Sequence, residues 1–119
     1  MIVLAELVDE ARRLSRQIDA GVDVLRKAAA RGAHAEYDYR MAIAKAYVTV
    51  GEGTVPERQA QVQADTAGLR LVRDLAEGQR VAALEALRSR RAQLSALQSL
   101  LAAHRSEADH AYYGPEETP

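Results

Sequence analysis

Thirteen positions from Leu4 to Ala46, reached by stepping alternately three and four residues, hold apolar or small side chains: Leu4, Leu7, Ala11, Leu14, Ile18, Gly21, Leu25, Ala28, Gly32, Ala35, Tyr39, Ala42 and Ala46. A repeat of that period is met by an α-helix that lays a seam against another helix, and not by a strand. Val8, Val22, Ala29, Ile43 and Val50 flank the seam, so the apolar stripe is wider than a pair of helices needs. Gly21 and Gly32 each weaken the helix by ~1 kcal/mol relative to Ala. They offer a close approach, or a break near Gly32; the favoured reading is one continuous helix over residues about 2–50.

A second helical run follows, over residues about 55–106. Its apolar positions are Val62, Leu69, Val72, Ala76, Ala83, Leu84, Leu87, Leu94, Leu97 and Leu101, with Leu71, Leu75 and Leu100 beside them. The repeat is looser, and Gly68 and Gly78 interrupt it. After Ser106 the apolar pattern fades, and residues 107–119 read as a frayed acidic tail.

Between the runs stands Gly51-Glu52-Gly53-Thr54-Val55-Pro56-Glu57. Thr54 is placed as an N-cap, Pro56 sits in the first turn where no backbone N–H is needed, and Glu57 can close a capping box. Two long helices joined by a turn at 51–54 must be antiparallel neighbours. The expected fold is all-α: a long antiparallel two-helix hairpin, coiled-coil-like. Folding about residues 52–53 sets Leu4 against Leu101, Leu7 against Gln98, Ala11 against Leu94, Ile18 against Leu87 and Ala35 against Leu69. The extra apolar flank is expected to be covered by self-association, as a dimer forming a four-helix bundle.

Composition narrows the function classes. The 119 residues contain no Cys, Phe or Trp, which suits a helical pair and removes thiolate metal sites. The N-terminal stretch is apolar for only five residues before Glu6 and lacks a basic region; it is not expected to be a signal peptide. No apolar run approaches the roughly 20 residues of a membrane span. The expected location is the cytoplasm, with no membrane partner.

The net charge of −1 supplies no global field, but its distribution is uneven. Segments 12–31 and 70–91 hold 12 of the 16 basic residues and only five acids, a net +7 against −8 elsewhere. Arg12, Arg13, Arg16, Arg88, Arg90 and Arg91 are candidate contacts to an acidic partner or a phosphate backbone. The competing reading is a solvated helix surface. No aromatic interleaves with these arginines, so no stacking platform for single strands is indicated. A second candidate patch lies near the turn: Tyr37, Tyr39, Arg40, Arg70 and Arg73. There Tyr39, on the seam, is read first as core filling.

No catalytic motif stands out, and no cofactor or metal is expected. Glu107 and His110 form one Glu-x-x-His pair beside His104, where a di-iron bundle needs two such pairs and further glutamates. Ser95 and Ser99 have no triad partners, and the Gly51–Thr54 turn is not a phosphate loop.

Four stretches carry a resemblance: Glu36-Tyr37-Asp38-Tyr39-Arg40 through Ala46, Gly53-Thr54-Val55-Pro56-Glu57-Arg58, Leu69-Arg70-Leu71-Val72-Arg73-Asp74-Leu75-Ala76-Glu77, and Leu94-Ser95-Ala96-Leu97-Gln98-Ser99-Leu100-Leu101. In that order, over roughly residues 4–105, the chain resembles small all-helical proteins of actinobacterial phages and prophages. The resemblance implies a place in an early replication or recombination module, with no catalytic residues to carry over. Tyr37, Tyr39, Arg40, Arg70, Arg73, Asp74 and Glu77 match its pattern, with Arg40 and Lys45 expected near Asp65 and Glu57.

The function expected on these grounds is a non-enzymatic accessory or adaptor of such a module. It would act by helix-face contacts with a protein partner or the DNA backbone. A structural or assembly role, in a virion, tail or bundle, is the alternative. Secreted helical hairpins with a Trp-x-Gly turn are disfavoured, because the turn here reads GEGT.

Overall fold

The computed structural model describes residues 3–112. Two α-helices account for nearly all of them: α1, Leu4–Thr49, and α2, Val55–Tyr112. They pack against each other as an antiparallel, all-α hairpin, and no strand occurs among the described residues. α1 runs unbroken through Gly21 and Gly32.

The turn forms for the reasons its residues suggest. The Glu57 N–H donates to Thr54 Oγ1 at 3.3 Å, and the Thr54 N–H donates to Glu57 Oε2 at 3.4 Å. This reciprocal box satisfies two of the donors a helix start leaves free. Gly53 precedes it with φ +157°, and a Cβ there would stand 2.9 Å from Glu57 Oε2. The box therefore requires glycine at 53. At the other side, Thr49 Oγ1 donates to the Lys45 carbonyl at 3.0 Å and closes the last turn of α1.

α2 continues beyond Ser106 to Tyr112, where the sequence suggested a frayed tail from residue 107. The apolar pattern ends at Leu101, but nothing up to Tyr112 breaks a helix. Gly and Pro arrive only at 114 and 115, and His110 in the last turn suits the helix dipole. The rest of that tail, 113–119, lies outside the described residues.

The chain divides into two compact units, each containing a piece of both helices. Unit 1 is Met1–Val22 with Ala86–Pro119, and unit 2 is Asp23–Glu85. In unit 1 the buried residues are Leu7, Leu14, Gly21 and Leu87, flanked by half-buried Ile18, Leu94, Leu97 and Leu101. Leu14 is 1 % exposed. In unit 2 the buried residues are Ala28, Ala35, Ala46, Val62 and Thr66. Thr66 resolves its polarity locally, its hydroxyl donating to the Val62 carbonyl at 2.7 Å.

The register differs from the mirror expected about residues 52–53 by about one helical turn. In unit 2 Glu36 faces Arg73, with 3.7 Å between carboxylate and guanidinium, where the mirror sets it opposite residue 69. Ala35 shares a groove wall with Val72, Leu75 and Ala76 rather than with Leu69. In unit 1 Leu87 Cδ1 lies 3.3 Å from where a Gly21 Cβ would be, three positions beyond the Ile18 that the mirror assigns it. Helical side chains lean toward their own N-terminus, so in an antiparallel pair each one meets a partner further along the other helix. The lean accounts for about two positions. The remainder means that, in unit 2, the first turn of α2 begins beyond the level at which α1 ends.

Candidate functional site

Stepping back from Leu101 by three and four gives the seam of α2 as the structure has it. In unit 2 those positions are Val62, Thr66, Leu69, Arg73, Ala76, Arg80 and Ala83, of which Leu69 is exposed. Arginine thus stands where a coiled coil would place an apolar knob. Across from Arg73 and Arg80, α1 presents Ala29, Gly32 and Ala33, and the missing side-chain volume leaves a groove of about 530 Å³. A Cβ on Gly32 would meet nothing within 4 Å. The arginine stems run through the seam while their heads reach its edge.

The heads are held by acids. The Arg73 Nε and Nη2 donate to Asp74 Oδ1 at 3.1 and 3.0 Å. Its guanidinium also lies 4.3 Å from the centre of the Tyr39 ring, a cation–π geometry. The hydrogen bond to Asp74, and then the nearby Glu36 carboxylate, raise the Arg73 pKa above its ordinary value. Arg80 donates to both Glu77 oxygens at 2.6 and 2.9 Å. That pairing lowers the Glu77 pKa and raises that of Arg80. Glu36 also accepts from Arg40 Nε at 2.7 Å. Arg40 therefore closes onto its own helix, one turn back, and not onto Asp65, which accepts from Gln61 at 2.8 Å. The groove is a self-satisfied ladder of guanidinium and carboxylate. Its carboxylates, Glu36, Asp74 and Glu77, are each paired with a guanidinium, and its arginines cannot act as bases near neutral pH.

A different surface of unit 2 is apolar. Tyr37 (63 % exposed), Met41, Leu69, Val72 (52 %) and Leu75 (60 %) all stand out toward solvent. His34, Ala35, Val72 and Leu75 line one groove of about 410 Å³, with Arg31 and Asp38 also in its wall. Ala30, Ala33, His34 and Tyr37 line an adjoining apolar hollow. Tyr37 and Met41 lead on to Leu69 and Lys45. Val72 and Leu69 were expected on the α2 seam; Val72 belongs to this outer strip, and Leu69 is only partly covered.

The candidate patch near the turn is thus split. Arg73 and Tyr39 meet directly, Arg40 joins them through Glu36, and Tyr37 belongs to the apolar strip. Arg70 is exposed. Of the basic candidates in unit 1, Arg12, Arg16 and Arg91 are exposed. Arg13 is paired with Glu10, which lowers the Glu10 pKa. Arg90 is half-buried, its Nη1 lying 3.5 Å from the site of a Gly21 Cβ. Arg88, too, has an interaction of its own. Asp23, in unit 2, holds Lys27 and Arg26, and its pKa is lowered chiefly by Lys27 and then by Arg26.

The residues that sequence reasoning passed over are Glu36 and Arg80 as partners, and the Ala29–Gly32–Ala33 notch. The usable signal was the three-four step itself, which lands on Arg73 and Arg80 while α1 offers small residues. His104, Glu107 and His110 are exposed. Among the described residues no group of three His, Cys, Asp or Glu is placed to hold a metal ion. No helix among the described residues is long and apolar enough to cross a membrane. Compared with family models, curated proteins and solved structures, the chain matches none of them.

Proposed function

We propose that this chain is a non-enzymatic accessory or adaptor protein of the bacterial cytoplasm. It self-associates and works by helix-face contacts with a protein partner or with the DNA backbone. The observation that carries this reading is the exposed apolar strip of unit 2, Tyr37, Met41, Leu69, Val72 and Leu75. Contiguous exposed apolar surface on a small protein marks an interaction site. The grooves beside it are open and shallow, which suits a partner's side chains better than an enclosed substrate. The placement in a phage replication or recombination module rests on the motif resemblance of the Tyr37–Arg40 and Leu69–Glu77 stretches.

For DNA, the exposed Arg12, Arg16 and Arg91 are the candidates, through phosphate contacts without base readout. Arg13, Arg73 and Arg80 are committed to carboxylates and contribute less. Two measurements test the reading. Tagged protein should retain a defined replication or recombination protein, and retention should fall when Leu75 and Val72 are replaced by Asp. Gel-shift titration at low salt should show sequence-independent binding that weakens as salt rises. The absence of both retention and a shift would sink the proposal. A large ring or polymer in light scattering would favour an assembly role instead.

A further inference from the structure

We infer that the apolar strip of unit 2 is a two-fold interface to a second copy of this chain, with the copies antiparallel and Arg31 of each paired with Asp38 of the other. The inference rests on the self-association proposed above and specifies its surface and symmetry. Three observations carry it.

The first is charge. Arg31 and Asp38 stand seven residues apart on α1, in the wall of one groove floored by Val72, Leu75 and Ala76. Other acids nearby hold bases: Asp23 with Arg26 and Lys27, Glu36 with Arg40, Glu77 with Arg80. Arg31 and Asp38 are exposed, and neither has such a partner among the described residues. A two-fold axis along the helices would set Arg31 level with Arg31 and Asp38 level with Asp38. An axis across them, at the level of His34 and Ala35, sets opposite charges together twice.

The second is symmetry. The α2 side of the groove runs from Val72 to Gln79, centred on Leu75 and Ala76. By the pairing of Glu36 with Arg73, the level of His34 and Ala35 on α1 falls at residues 74–75 of α2, beside that centre. Leu75, exposed in the single chain, then meets its own equivalent.

The third is shape. An axis at His34–Ala35 carries Tyr37 of the second copy to the level of Gly32. There a hollow of about 590 Å³ stands open, edged by Ala30, Ala33, His34 and the chain's own Tyr37, so that the two tyrosines would share it. The most exposed aromatic of the strip is matched by a hollow between alanines, once in each direction, as an isologous contact requires.

The test uses the full chain in sedimentation equilibrium, with far-UV circular dichroism as the check on folding. The wild type should be a dimer. Charge reversal at one position, R31D or D38R, sets like charges together twice and should weaken the dimer by about tenfold or more. The double variant R31D/D38R restores both pairs and should return to within about threefold of the wild type. Because the sequence has no cysteine, introduced thiols report geometry directly. Under mild oxidation a mixture of R31C and D38C chains should cross-link more than either variant alone. A monomeric wild type overturns the self-association reading and this interface with it. A dimeric wild type that ignores both reversals, or is not rescued by the double variant, overturns this interface and leaves self-association standing. Preferred cross-linking of D38C with itself overturns the antiparallel arrangement.

Discussion

Units 1 and 2 are built on one heptad period and pack by different means. In unit 1 the buried seam holds Leu7, Leu14 and Leu87, with Val3, Leu4, Val22 and Leu100 left exposed. In unit 2 the buried seam holds Ala28, Ala35, Ala46, Val62 and Thr66, while Tyr37, Met41, Leu69, Val72 and Leu75 stand exposed. The difference teaches that a seam position states where a residue sits and not how much it contributes. A leucine seam hides its larger side chains between the helices, whereas a seam of alanine, threonine and arginine leaves Tyr37, Met41, Val72 and Leu75 exposed, available to a partner.

The comparison can be broken most sharply at Leu14. Leu14→Ala removes the most buried large side chain and should cost about 3 kcal/mol, read as a lowered denaturant midpoint. If it is nearly neutral, unit 1 does not rest on its leucines. Ala28→Leu probes the opposite case, since Ala28 is 2 % exposed and leaves no room for three added carbons. It should destabilise by about 2 kcal/mol through overpacking, and a stabilised variant would show that the unit 2 seam has slack.

Glycine replacements should separate the units by the size of the gain. A Cβ at Gly68 or Gly78 meets nothing within 4 Å, so either Gly→Ala change in unit 2 should stabilise by about 0.5–1 kcal/mol through helix propensity. At Gly21 in unit 1 the added carbon would stand 3.3 Å from Leu87 Cδ1. Gly21→Ala should therefore gain less in a thermal melt than Gly68→Ala, and an equal gain would mean that Leu87 moves aside freely.

The smallest effect is acid sensitivity, expected in both units. Arg13 lowers the Glu10 pKa, Lys27 and Arg26 that of Asp23, and Arg80 that of Glu77. A carboxyl with a depressed folded pKa contributes stability that is present at neutral pH. That contribution is lost as pH falls below the unfolded value of about 4 and through the folded one. Melting temperature should decline slightly from pH 5 downward, and Glu77→Gln should flatten part of that decline. These pairs are exposed, so each contribution is small. An unchanged melting temperature at pH 3 would count against them.

Much of the fold was legible. Of the thirteen seam positions read on α1, all but Leu4 are buried or half-buried, because small and apolar residues recur there without interruption. The Thr54–Glu57 box was legible because it depends on four adjacent residues. The α2 seam was harder, since Thr66, Arg73 and Arg80 occupy positions that a hydropathy pattern skips, and Val72 seemed to fill the gap. The register was displaced by a turn because a mirror about the loop counts backbone positions, while contacts are made by side chains that lean and α2 begins beyond the level at which α1 ends. The split of the turn patch depends on which acid each arginine reaches, and spacing alone cannot decide between Glu36 and Asp65 for Arg40.

The capped turn and the two cores also set an order of events. Glu36 and Arg73 are separated by 37 positions of chain and Gly21 and Leu87 by 66, so unit 2 closes the shorter interval. Closure entropy rises with interval, and non-local contacts form late in folding. The weaker seam thus joins early, and the leucine core acts as the latch. Contacts absent from the transition state govern unfolding speed and barely touch folding speed. Leu14→Ala should then shorten the native lifetime, whereas a change at Val62 should slow refolding. Persistence of the folded hairpin would reside in the unit that offers the least surface to a partner.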